Sequence, residues 1–157
     1  MRKRLIDQSS QDTLPSGQNW LNLERLAQVE FTSEDAAHPV ESALLLGTGS
    51  AWHAARPGEQ LIRLLFDEPL GLRRIRLLFC EEGEARTQEF VLRWSTDGGR
   101  SYREVVRQQY NFSPPGTTFE VEEYSVELDG VTALELRIVP DINGGGAFAS
   151  LAQLRLA

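Results

Sequence analysis

The chain has 157 residues, of which 41% are hydrophobic and 25% are charged. This balance is typical of one globular domain with one core and excludes wholesale disorder, collagen and coiled coil. Sixteen basic and 23 acidic residues give a formal net charge of -7, a field that repels phosphate backbones and anionic membranes and so excludes nucleic acid and membrane as expected partners.

The segments that direct a chain to a compartment are also informative. No apolar run approaches the roughly 20 residues that a membrane helix needs, and the basic start has no apolar stretch behind it. The single cysteine, Cys80, allows no internal disulfide, and we expect it in the core. These features together predict a cytoplasmic protein.

The N-terminal region divides into a lead and the start of the domain. Residues 1–17 mix charged and small polar residues without a period, which predicts a flexible lead. The domain then covers 18–157. Trp20, Leu23 and Leu26 recur at helical spacing and predict a short peripheral helix with Asn19 as its N-cap.

From Ala27 onward the hydrophobic period is two, which predicts strands. Turn formers at 67–71 separate two apolar runs, which we expect to pair with each other, and Asp97-Gly98-Gly99 predicts a hairpin. A change of phase at Glu122 and Glu123 predicts a β-bulge. The predicted strands cover residues 27–32, 60–66, 72–79, 89–95, 101–107, 118–128, 133–139 and 150–156. The sequence therefore predicts an all-β fold, an eight-stranded antiparallel jelly-roll β-sandwich.

Catalytic and metal motifs are sparse. The two histidines, His38 and His53, do not have the spacing of a metal pair, and no Gly-x-Ser-x-Gly nucleophile elbow is present. The acidic runs are typical of solvated faces in a protein of this charge. We therefore expect a protein that is not an enzyme, with no metal and no cofactor.

The best candidate patch lies in a predicted loop after the fifth strand. Arg107, Gln109 and Asn111 supply hydrogen-bonding groups, and Tyr110 and Phe112 supply rings that can stack on a flat ligand. The alternative is that both rings plug the end of the sandwich, because aromatic side chains are usually buried.

A second contributor to the patch comes from an earlier part of the chain. His53 is expected at the polar rim of the ligand site. Its neighbour Trp52 is expected to anchor the core, because large aromatic side chains are usually buried.

The order of these motifs resembles the galactose-binding-like or discoidin (coagulation-factor C-type) family, which includes many carbohydrate-binding modules. The resemblance covers about residues 29–156, and its most specific element is Ser95, Asp97 and Gly98 before Tyr102. It implies a jelly-roll sandwich that binds ligands, without catalysis, through loops at one end.

Many members of that family carry a structural calcium. The positions that match its acidic element read Leu45-Leu46-Gly47, and Gln153 stands where an acid is common. A hard cation prefers several anionic oxygens, so we expect no tight calcium site here.

Two functions follow from the resemblance. The first is a lectin-like, carbohydrate-binding module whose ligand is a glycan or another small polar molecule. The alternative is an intracellular protein-interaction or scaffold domain of the same fold, with a protein partner.

Overall fold

The structure, a computed structural model, describes residues 19–157 except residue 82. The flexible lead predicted at 1–17 lies outside the described residues. Two single-turn helices, α1 (Leu23–Leu26) and α2 (Glu41–Leu44), flank the strands. The helix predicted after Trp20 is therefore present but shorter, and Asn22 takes the N-cap position instead of Asn19. Within the described part of the chain, no helix is long and apolar enough to cross a membrane.

The rest of the described chain is dominated by antiparallel strands. In order they are β1 (Ala27–Phe31), β2 (Trp52–Pro57), β3 (Gln60–Cys80), β4 (Arg86–Ser95), β5 (Arg103–Phe112), β6 (Phe119–Val139), β7 (Phe148–Leu151) and β8 (Gln153–Leu156). Every strand pair is antiparallel, so the predicted all-β antiparallel fold is confirmed.

Two long strands, β3 and β6, run alongside each other and connect the two layers of the sandwich. Near Gln60 and Ile138 the two strands pair within a sheet that also contains β1, β4 and β5. Near Ile75 and Tyr124 they pair again, and β8 pairs with β3 there. A smaller sheet pairs β2 with β7. The layers enclose one apolar cluster.

The predicted pairing of 60–66 with 72–79 is wrong. Both segments belong to β3, and each pairs with a different part of β6. The turn formers at 67–71 bend one strand instead of reversing the chain, and the register shifts between Leu65 and Arg74 mark that bend. The described chain therefore has eight strands, but they are not the predicted eight.

The β-bulge predicted at Glu122 and Glu123 is also misplaced. The register of β6 with β3 is unbroken from Phe119 to Ser125, and the irregularity follows nearer the bend. Phe119 and Val121 consequently point away from the core and are 56% and 49% exposed. Their apolar character had suggested the opposite face.

Trp52 and the sheet interior follow the predicted pattern. Trp52 is fully buried, and its indole Nε1 donates to the carbonyl of Ser33 at 3.0 Å. Inward residues of β3 and β4 alternate with outward ones, as in Ile75, Leu77 and Phe79. In these two strands, period-two patterning thus identified the face that packs into the core.

Candidate functional site

A cleft of about 610 Å³ opens where β3 ends and where β4 and β7 begin. Its walls include His53, Cys80, Glu81, Glu84, Arg86 and Phe148. Cys80 is half-buried in this wall, so the prediction that it lies in the core is wrong. The cleft combines one aromatic ring with several charged and polar groups, which is the composition of a ligand site.

Phe148 is an aromatic side chain that the fold leaves open to solvent. Its ring is 48% exposed at the cleft wall, although β7 continues inward with the fully buried Ala149. The chain reaches it through a glycine segment in which Gly144 and Gly145 have φ of +88° and +89°, a conformation that only glycine adopts easily. An exposed ring beside polar groups is a surface on which a ligand can stack.

Arg86 is the best-fixed polar group of the cleft. Its side chain is 3% exposed, its Nη1 donates to the carbonyl of Phe148 at 2.9 Å, and its Nη2 lies 2.8 Å from Glu81 Oε1. The Phe112 ring packs 5.7 Å from the guanidinium carbon. The guanidinium Nε has no hydrogen-bond partner among the described residues, although buried polar groups are usually paired.

Glu81 organises the segment that leads into β4. Its Oε2 accepts the backbone N–H groups of Gly83 at 2.7 Å and of Glu84 at 3.1 Å, while Oε1 pairs with Arg86. Burial lowers the pKa of the Arg86 guanidinium, and the charge of Glu81 works in the opposite direction. One carboxylate therefore fixes both the loop and the guanidinium.

His53 lies on β2 and lines the cleft. Its ring stacks on the ring of His38 with 4.0 Å between centroids and 10° between planes. His38 Nδ1 in turn lies 2.7 Å from Asp35 Oδ2. Burial lowers the pKa of His53, and the charge of His38 lowers it further, so the neutral ring is favoured near pH 7.

The predicted patch at 107–112 is part of strand β5 and not a loop, which divides its residues between two faces. Arg107, Gln109 and Asn111 point outward. Arg107 and Gln109 contact Glu89, and Asn111 accepts a hydrogen bond from Thr87. The five residues therefore cannot present one binding surface.

The two rings of that patch point inward, so the prediction that Tyr110 or Phe112 is a stacking platform is wrong. Phe112 is 1% exposed, and Tyr110 packs against Phe79, Phe90 and Phe112 with ring centroids 5.2 to 6.3 Å apart. The alternative, that these rings fill the end of the sandwich, matches the structure. Of the six predicted site residues, His53 lines the cleft and Phe112 lies behind Arg86.

Sequence reasoning missed the aromatic and the arginine of the cleft. Phe148 lies two residues after three consecutive glycines, at the end of a glycine-rich loop. Arg86 and Gln88 occupy the inward phase of β4, where apolar residues are expected. A charged residue on the buried phase of a strand was the available signal.

The structure also bears on the calcium question. Within residues 19–157 other than 82, no three His, Cys, Asp or Glu side chains are arranged to hold a metal ion. The carbonyl of Leu45, in the segment matched to the calcium element, and that of Ala43, two residues before it, already accept hydrogen bonds from Arg155 at 3.3 and 2.8 Å. A guanidinium at these oxygens does not fit an added cation.

Comparison with known proteins defines the fold. No protein-family profile matches the sequence, and no curated protein matches it significantly. Among solved structures, the family 32 carbohydrate-binding module from Clostridium perfringens NanJ, in complex with galactose, is 14% identical with a TM-score of 0.63, over 87% of this chain and 96% of that one.

Two further structures agree. The Clostridium perfringens module CpGH89CBM32-5, in complex with GalNAc-β-1,3-galactose, is 17% identical with a TM-score of 0.59 and coverages of 88% and 99%. The C-terminal domain of a chitobiase from Bacteroides fragilis is 18% identical with a TM-score of 0.60 and coverages of 88% and 97%. The protein thus has the galactose-binding-like β-sandwich fold of family 32 carbohydrate-binding modules, as the motif order predicted.

Proposed function

We propose that this protein is a non-catalytic glycan-binding module and that the cleft between His53, Arg86 and Phe148 is its binding site. The observation that carries the proposal is the half-exposed Phe148 at the wall of a cleft that also contains the buried Arg86, which donates to the backbone carbonyl of Phe148. A sugar has an apolar face and several hydroxyl groups, and the cleft offers an aromatic ring for the first and fixed donors for the second.

The residues of the cleft complement both parts of a pyranose. The apolar C–H face of a sugar ring stacks on an aromatic side chain, here Phe148, and its hydroxyls require donors and acceptors at fixed positions. Arg86 supplies N–H donors, Glu81 and Glu84 supply acceptors, and the neutral His53 ring supplies one of each. Because Glu81 already fixes Arg86, the donors need little ordering on binding.

The bound sugars of structural neighbours support the glycan class. Galactose occupies one neighbour, and GalNAc-β-1,3-galactose occupies another. The alternative of an intracellular protein-interaction domain gains no support from these comparisons and stays a prediction.

The contacts of the cleft carboxylates favour binding over hydrolysis. Most glycosidases use two carboxyl groups, one of which must carry a proton to the leaving oxygen. Glu81 instead accepts two backbone N–H groups and pairs with Arg86. This carboxylate suits a structural role.

The test is a glycan array followed by calorimetric titration with the sugars that bind. Phe148→Ala should weaken binding at least tenfold, or about 1.4 kcal/mol, with little change in melting temperature because the ring is half-exposed. Phe119→Ala is the matched control, since that ring is 56% exposed on β6 and does not line the cleft. Folded protein that binds no glycan, or equal loss in both variants, would refute the proposal.

A further inference from the structure

A second recess lies beside the cleft and shares two of its walls. It has a volume of about 330 Å³ and is lined by Asp35, Ala54 and Ala55 together with His53 and Phe148. These last two residues also line the cleft of about 610 Å³. Both volumes fall in the range of about 300 to 1,000 Å³ found for small-molecule sites, and the two spaces adjoin across the shared side chains.

The recess exists because the β2–β7 ladder opens at this point. His53 pairs with Ser150 and Pro57 pairs with Phe148, so residues 54–56 on β2 face the single residue Ala149 on β7. Such a bulge bends one strand away from the other. The small side chains of Ala54 and Ala55 leave the resulting space open.

Hydrogen bonds from two neighbouring segments of the chain hold the open ladder in place. The backbone N–H of Ala55 donates to Ser33 Oγ at 3.0 Å. The turn at 35–38 is attached on either side of His53, since the N–H of Asp35 donates to the His53 carbonyl at 2.8 Å and the N–H of His53 donates to the His38 carbonyl at 3.1 Å. The recess is therefore a formed part of the fold.

From this juxtaposition we propose that the ligand is a neutral oligosaccharide of at least two residues, one in the cleft and the next in the recess, with Phe148 and His53 between them. This inference rests on the proposed function. A monosaccharide would fill one space and leave the other to water.

The charge of the recess determines the class of the second residue. The Asp35 side chain is 48% exposed and accepts from His38, so it offers a partly solvated carboxylate to a hydroxyl. The first space adds Glu81 and Glu84 against one arginine. Carboxylates in both spaces repel uronic and sialic acids and accept hydrogen bonds from neutral sugars.

Two alanines on either side of His53 provide a matched test. Ala51 lines only the cleft and Ala55 lines only the recess. The probes are galactose, N-acetylgalactosamine, glucose and mannose, with β-linked disaccharides of the same residues, titrated calorimetrically. The unaltered protein should bind its best disaccharide at least tenfold tighter than either component. Ala55→Leu should remove that gain and leave monosaccharide affinity unchanged, while Ala51→Leu should weaken both.

The outcomes separate this inference from the proposed function. Absence of binding to every probe and to the glycan array would overturn the proposed function. Monosaccharide binding without a gain from the second residue would overturn only the inference, as would a gain that survives Ala55→Leu. Melting curves of both leucine variants identify any that fails to fold, and Ala55→Val then replaces the larger substitution.

Discussion

The cleft and the outer face of the large sheet each contain a nearly buried charged group. On the sheet this group has hydrogen-bond partners for both of its oxygens, whereas in the cleft one nitrogen of the group has no acceptor among the described residues. On the sheet, Glu135 is 2% exposed and accepts from the guanidinium of Arg63 at 2.7 and 3.2 Å and from that of Arg93. In the cleft, Arg86 has one carboxylate, one carbonyl and an Nε without an acceptor among the described residues.

The strand register explains why the sheet cluster is complete. Glu30, Arg63, Glu135 and Arg93 occupy directly opposed positions on β1, β3, β6 and β4, so alternate charges meet across the sheet. The described residues of the cleft form no equivalent row, since segment ends meet there and an aromatic ring is left exposed. An ion cluster in which every charge is paired stabilises the fold. An unpaired polar atom beside an exposed aromatic ring can instead take part in binding a ligand.

The largest expected effect comes from breaking the complete cluster. Glu135→Ala leaves two guanidiniums facing each other and should lower the free energy of unfolding by about 3 kcal/mol, the low end for a broken buried pair because both arginines reach water. Glycan affinity should not change. Chemical denaturation measures the first quantity and calorimetry the second.

The stabilisation that Glu135 gives to the unaltered protein has a defined pH dependence, which Glu135→Ala should remove. Burial of the Glu135 carboxyl opposes ionisation, but the hydrogen bonds from Arg63 and Arg93 outweigh burial and hold its pKa below the usual value. Its contribution is therefore full at neutral pH and is lost as pH falls through the folded-state pKa. The exposed Glu123→Ala, beside Arg76 at 3.6 Å, is the control and should change stability by less than about 1 kcal/mol. A similar loss in both variants would contradict the assignment.

A smaller effect is expected at the second buried cation, Arg155. Arg155→Met keeps an unbranched apolar stem but leaves the carbonyls of Ala43 and Leu45 without their donor, which should cost about 2 kcal/mol. Because Arg155 occupies these oxygens, we propose that calcium does not stabilise the fold. Neither calcium nor a chelator should shift the melting temperature of the unaltered protein. A chelator-dependent decrease would show that this proposal is wrong.

The smallest expected effect is a pH dependence of glycan affinity, which tests the role of His53 and its stacked neighbour His38. Because burial and the charge of His38 lower the pKa of His53 below 6.5, glycan affinity should be constant from about pH 7 to pH 8 and fall only in more acidic solution, where the ring can no longer accept a hydrogen bond. His53→Gln should flatten the profile. An unchanged profile in that variant would remove His53 from the site.

Several parts of the fold followed directly from the sequence. The alternation at Ala27–Phe31 and at 89–95 predicted strands that exist, and Trp52 is in the core as expected. The hairpin after Asp97 is present, because that carboxylate accepts the N–H groups of Arg100 and Ser101 at 3.0 Å and closes the turn. These features depend on local periodicity and turn chemistry, which a sequence displays.

Most of the errors arise because periodicity does not identify the partner of a strand, and at Phe119 and Val121 it also indicated the wrong face. The turn formers at 67–71 bend β3 because β6 accompanies it through the bend. Tyr110 and Phe112 already alternate with Gln109 and Asn111, but the following Pro114-Pro115 suggested a loop. The cleft was missed because Phe148 and Arg86 are distant in sequence and meet only through tertiary structure.

The pairing of β3 with β6 also has a kinetic consequence. Gln60 meets Ile138 and Cys80 meets Phe119, so both layers depend on closing long loops, whose entropic cost precedes any gain from contacts. The β4–β5 hairpin, which carries Arg86 and Phe112, is the local exception. The floor of the cleft therefore belongs to a unit that can assemble early, while the wall that carries Phe148 must wait for the end of the chain.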